Sequence, residues 1–162
     1  MKHLIVLFFI ACNTFAGAQS LPMFDLIKLE KPVDYKAADP FVLQTANYLL
    51  SVPYMKDNKD RTSALQFMSK WMNGTIDYSF SFGETERKMF SENNELFGVY
   101  MASLAKYTLE NKVAAKDSKV AKLNALIMML DYCEQKSNNI KYSKQLKKLS
   151  EAKAKGQLDQ FL

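Results

Sequence analysis

Side chains capable of acid–base or metal chemistry are scarce in this chain. It has one histidine, His3, and two cysteines, Cys12 and Cys133. His3 and Cys12 both fall inside an N-terminal stretch that reads as a removable leader. Without that leader no imidazole remains and only one thiol, so no internal disulfide can form. A Cys/His zinc site, a Ser-His-Asp triad and a Cys-His pair each need an imidazole or several thiolates, and all are excluded. Glycine and proline are also few, five and four residues. That scarcity argues against an all-β chain with many tight turns.

The leader itself is MKHLIVLFFIACNTFAGA. Lys2 and His3 give a short positive start, Leu4 to Ala11 form an apolar run, and Ala16-Gly17-Ala18 supplies small residues for a signal peptidase. The run is far short of the ~20 residues that span a bilayer. Cleavage is expected after Ala18, leaving Gln19 at the mature N-terminus and placing the protein in the periplasm or outside the cell. Cys12 offers a second reading, a lipid-attachment site. However, Phe9, Ile10 and Ala11 lack the leucine such a box usually carries. About 144 residues remain, a length suited to one domain around one core.

Charge is unevenly placed. Residues 19–105 hold nine basic and eleven acidic residues, a net of −2, whereas residues 106–155 hold twelve lysines against five acidic residues, a net of +7. A basic half can attract anionic partners, including a membrane surface. It has no arginine, which nucleic-acid readers use for bidentate contacts, so no nucleic-acid partner is expected. The lysines read first as solvated helix faces.

Apolar spacing predicts helices along most of the chain. Residues 19–38 carry Pro22 and Pro32 and read as an irregular lead-in. Asp39-Pro40 then supplies an N-cap and a first-turn proline, with Val42, Ala46, Leu49 and Leu50 on one face. A second helix carries Ala64, Leu65, Met68, Trp71 and Met72 as a stripe with Phe67 at its edge. It starts from Asp60 or Thr62 and stops at Gly74, which would adopt the left-handed conformation. Glu95 to Lys112 and a partner capped by Asp117 or Ser118 form a helical hairpin across a short link. A Lys-rich helix follows from about Lys141, inward at Leu146 and Leu149 and interrupted near Gly156. Cys133 sits beside an apolar stripe and reads as a buried, inert thiol. The fold expected is all-α: a bundle of five to six helices, or a short array of helical hairpins, over residues 39–162.

One stretch breaks the helical pattern. In residues 75–82, Ile76, Tyr78, Phe80 and Phe82 alternate with Asp77, Ser79 and Ser81, the period of a half-buried extended segment. Three placements would satisfy it: a surface groove between helices with the aromatics inward, pairing with Leu26–Leu29, or a short helix capped by Asp77. Aromatic walls with a few polar groups resemble ligand sites, so Trp71, Tyr78, Phe80, Phe82 and Asp77 are the candidate binding residues. Asp77, Glu84 and Glu86 form a carboxylate cluster beside them. Paired carboxylates hydrolyse glycosides without histidine, so the alternative is a hydrolase of cell-wall or polysaccharide material.

The stretches WMNGTIDYSF and LFGVYMASLAKYTLENK resemble small exported bacterial proteins of unassigned function that share a Trp-containing helix followed by a Gly-Thr-x-Asp-Tyr turn. The resemblance implies a single exported domain and brings no site residues with it. The reading that follows is a soluble exported protein that acts by binding a protein or envelope component. No catalytic residue, cofactor or metal is expected.

Overall fold

A computed structural model describes residues 20–91 and 93–162; the leader, with His3, Cys12 and the expected cleavage point, lies outside the described residues. Seven α-helices occur among the described residues: α1 (Pro32–Ala37), α2 (Asp39–Ser51), α3 (Lys59–Gly74), α4 (Glu84–Phe90), α5 (Asn94–Glu110), α6 (Ser118–Glu134) and α7 (Lys144–Ala154). No strand is found among them. The all-α expectation holds; the short α4 is the sixth helix of the five to six expected, and α1 makes the seventh. No helix among the described residues is long and apolar enough to cross a membrane.

The centre of the bundle is α5, packed most extensively against α6 and α2. It buries Leu96, Val99, Tyr100, Leu104 and Leu109 together with Ala102, Ser103 and Ala105. A helix apolar nearly all round must be enclosed on several sides, and its small residues let the neighbouring backbones come close. A Cβ added to Gly98 would lie 2.9 Å from Leu65 Cδ2 of α3. The remaining helices each contribute one stripe: Val42, Ala46 and Leu49 from α2; Ala64, Met68, Trp71 and Met72 from α3; Leu126, Leu130 and Cys133 from α6; Leu146 and Leu149 from α7. Phe67, expected at the edge of its stripe, is buried, because Phe24 from the lead-in stacks on it at 4.7 Å.

That contact corrects the reading of residues 19–38 as irregular. Leu29 is buried in the same core, and α1 is a defined turn of helix. Pro32 occupies its first turn, and the Asp34 carboxylate accepts from the N–H groups of Glu30 and Lys31 at 3.1 and 2.9 Å. The Tyr35 hydroxyl donates to the carbonyl of Leu29 at 3.1 Å, and the Tyr35 carbonyl accepts from Trp71 Nε1 at 3.0 Å. The last bond reaches across thirty-six positions, which no local pattern reveals.

Helix starts differ from expectation in two places. Asp39 is not the N-cap of α2; that position is Ala38, still in the α region, and Asp39 is the first helical residue with no capping bond. The N-cap of α3 is Asn58, accepting from the N–H of Arg61 at 3.0 Å, rather than Asp60 or Thr62. Asp117 caps α6 as expected, accepting from Lys119 and Val120.

Gly74 ends α3 without a left-handed φ. Its role is space: an added Cβ would sit 2.2 Å from the Tyr35 ring. The left-handed glycine is Gly156, φ +66°. There the N–H of Gln157 donates to Ala152 at 2.8 Å and that of Gly156 to Lys153 at 3.0 Å, the paired bonds of a Schellman stop.

One buried cation braces the far end. Arg61 lies between the rings of Tyr54 and Tyr132, 5.7 and 5.8 Å from their centres, and Nη1 donates to the Leu49 carbonyl at 3.1 Å. A positive group at the C-terminal end of α2 meets the negative end of its dipole. Tyr132 completes the brace by donating to the carbonyl of Val52 at 3.0 Å.

Candidate ligand-binding site

The ribbon leaves α3 after Thr75, whose N–H closes the helix on Trp71. It then crosses the surface without becoming a strand or a helix. Tyr78 and Phe80 lie against Trp71, with ring centres 5.7 and 5.6 Å away. Phe82 has moved on to α5, 5.1 Å from Phe97 and 6.4 Å from Tyr100. Asp77, Ser79 and Ser81 face water. The surface-groove placement is therefore the one found. Ile76 departs from the alternation and is 74% exposed, because the chain bends at Ile76–Tyr78 before it settles on Trp71. Pairing with Leu26–Leu29 and capping by Asp77 both fail.

The ribbon forms one wall of a cavity of about 490 Å³. Asp77 to Ser81 line it, facing Leu104 and Thr108 of α5 and Ala121 of α6. Four lysines surround the opening: Lys36 from α1, Lys112 and Lys116 from the α5–α6 link, and Lys122 from α6. Only two carboxylates, Asp39 and Asp77, line the same space. A second hollow of about 470 Å³ near the N-terminal side has Met23, Leu26, Ile27 and Phe41 in its walls. It lacks this convergence of charge.

Asp39 is the anchor of the charged wall. Standing in the first turn of α2, its carboxylate faces the positive end of the helix dipole. Oδ2 accepts from the Tyr78 hydroxyl at 3.2 Å and lies 3.6 Å from Lys112 Nζ. Oδ1 is buried and has no hydrogen-bond partner among the described residues. Burial pushes the Tyr78 hydroxyl above its ordinary pKa, and Asp39 adds to the rise against the pull of Lys112. Lys112 is itself raised, chiefly through the Tyr78 hydroxyl and then through Asp39. It is held as a cation near neutral pH.

Lys122 is held from behind. Its Nζ lies 2.5 Å from Glu86, a carboxylate only 4% exposed on α4. Burial alone would raise the Glu86 pKa, but Lys122 and the N–H of Gly83 outweigh it, leaving Glu86 below the ordinary range. Among the described residues Lys36 and Lys116 form no ion pair. These two ammonium groups are the ones most available to a ligand.

Of the five candidate residues, the structure brings Asp77, Tyr78 and Phe80 to the cavity. Trp71 and Phe82 do not line it. Trp71 is wholly buried behind Tyr78 and Phe80, and Phe82 packs on Phe97 and Tyr100 of α5. The carboxylate cluster also separates: Glu86 is paired inside with Lys122, Glu84 pairs with Lys88 on the exposed face of α4, and Asp77 faces the cavity. The raised carboxyl group that general-acid catalysis requires is not found at Glu86, which is shifted the other way. No metal-binding group of His, Cys, Asp and Glu occurs among the described residues.

The sequence pattern missed Lys36, Asp39, Lys112, Lys116 and Lys122. The basic bias after residue 105 was a signal for the last three, but nothing in it separates cavity lysines from solvated ones. Comparison with protein-family models, curated proteins and solved structures finds no match for this chain.

Proposed function

We propose that this chain is an exported helical protein that works by binding, and that the ribbon cavity receives an anionic ligand from a protein or envelope component. The observation that supports this reading most directly is the meeting of four lysines, drawn from α1, the α5–α6 link and α6, around one aromatic wall. Asp39 and Glu86 already pair Lys112 and Lys122, whereas Lys36 and Lys116 have no ion pair among the described residues. An anion entering the cavity would gain the attraction of Lys36 and Lys116. Tyr78 and Phe80 offer ring surface, and Thr108 and Ser118 offer hydroxyl groups to orient what binds. The leader-like N-terminus supports export, and the resemblance to small exported bacterial proteins agrees with it.

The test is a titration with citrate, inorganic phosphate and glucuronate, read through the emission of Trp71, which underlies Tyr78 and Phe80. At least one anion should saturate the signal at low salt and bind more weakly as salt rises. Lys112→Glu with Lys116→Glu should remove the response while leaving the far-ultraviolet circular dichroism intact. A flat titration for every anion would remove the reading. Intact-mass analysis of material exported by a bacterial host should show Gln19 as the first residue.

A further inference from the structure

The binding reading leaves one feature of the ribbon unused, its main chain. From Ile76 to Phe82 no backbone N–H or C=O makes a hydrogen bond to the described residues. The bonds stop at the N–H of Thr75 and resume at the N–H of Gly83, which donates to Glu86 at 2.8 Å. In extended backbone the side chains stand perpendicular to the hydrogen-bonding direction. Tyr78, Phe80 and Phe82 point inward and Ser79 and Ser81 outward, so the free N–H and C=O groups run along the ribbon's edges, in the plane of the surface. One such edge borders the cavity, since Asp77 to Ser81 line it. Small outward side chains leave that edge open.

A row of unpaired main-chain groups is a template for another extended chain. A small acid can neutralise the lysines but cannot match alternating donors and acceptors along the edge. Only a peptide backbone carries that repeat. Its charge is set by the surroundings: a strand added beside the ribbon, about 4.8 Å away, would lie among Lys36, Lys112, Lys116 and Lys122. Building on the anion-binding reading, we propose that the ligand is an extended, acidic segment of another polypeptide, added as a strand along Tyr78–Ser81 with its carboxylates among these lysines.

The experiment uses the full chain and an acidic peptide of about eight residues alternating Glu and Val. Two further versions carry N-methyl groups on alternate residues, one in each register, and a glucuronate oligosaccharide supplies the same charge without a peptide backbone. Trp71 emission gives affinities. The parent peptide should bind, one N-methyl register should weaken it about tenfold through two or more lost hydrogen bonds, and the other should bind within about twofold of the parent, since its methyl groups point away from the ribbon. Ser79→Pro, which removes a ribbon N–H, should weaken the peptide by a similar factor while citrate binding is unchanged, and Ser79→Ala should weaken neither.

Equal binding of parent and both N-methyl registers would overturn strand addition and leave anion capture standing. Tighter binding of the oligosaccharide, or citrate binding without peptide binding, would do the same. No response to any anionic probe would overturn both. If Ser79→Pro fails to fold, the N-methyl comparison decides alone.

Discussion

Replacing Phe80 by alanine tests whether the ribbon is fixed to the core by its aromatics. Phe80 is half-buried, with its ring centre 5.6 Å from Trp71 and 6.4 Å from Tyr78. Full burial of such a side chain contributes roughly 1.5–3 kcal/mol, so about half of that is at stake. The aromatic contact with Trp71 adds about 0.5–1 kcal/mol beyond area. The expected cost is about 2 kcal/mol, out of a total stability of about 5–15 kcal/mol. It should lower the melting temperature by about 6 °C for a chain of this size. Urea unfolding followed by Trp71 emission and by circular dichroism measures the loss. Because Trp71 is the only tryptophan, the native emission should also move to longer wavelength as water reaches the uncovered ring. A cost below about 0.5 kcal/mol, the range of ordinary surface substitutions, with unchanged native emission would refute the reasoning.

Three other outcomes follow from the packing and the charges. Gly74→Ala should destabilise by about 1–3 kcal/mol, since its Cβ would meet the Tyr35 ring at 2.2 Å; a neutral result in thermal melts would contradict the close approach. Glu86 is held below its ordinary value of 4.5, so its ionised form favours the native state. That contribution is complete above about pH 4.5 and is lost as pH falls through the depressed value. Glu86→Gln should therefore be less stable at neutral pH yet lose less on acidification, and parallel pH–stability curves would contradict it. Burial, with a smaller push from Glu134, raises the Cys133 thiol to about 12. Ellman's reagent at pH 8 should label it only after urea unfolding; rapid labelling of the native chain would contradict its burial.

The helices were legible because their signals are local. The stripes of α2 and α3 recur every three to four residues. Val42, Ala46, Leu49, Ala64, Met68, Trp71 and Met72 are buried where that spacing put them, whereas Leu50 and Leu65 lie at the margin and are only half-buried. The ribbon's alternation was equally readable, and its inward aromatics are where the period placed them. What escaped depends on distant partners. The six residues of α1 carry too little apolar surface to announce a helix, and they are held by Tyr35 meeting Trp71. Gly74 looked like a backbone requirement and proved to be a steric one. Ile76 obeyed the alternation in sequence but lies where the chain bends.

The candidate site was half legible for the same reason. Tyr78, Phe80 and Asp77 sit together in sequence and in the cavity. Lys36 with Asp39, Lys112, and Lys122 come from three separate stretches, brought beside the ribbon only by folding. Trp71 shares the ribbon's neighbourhood in sequence, yet its full burial makes it a support for the wall. The basic bias of the second half was correctly read as mostly solvated, since α7 carries Lys144, Lys147 and Lys148 on its exposed face.

The central claim is that ligand arrives at the ribbon and its lysines rather than elsewhere on this basic surface. Amide chemical-shift mapping during titration with the acidic peptide tests it most directly. Shifts confined to Lys36–Asp39, Asp77–Ser81, Thr108–Ser118 and Lys122 are predicted. Shifts centred on the lysines of α7, or on the hollow around Met23 and Phe41, would contradict it.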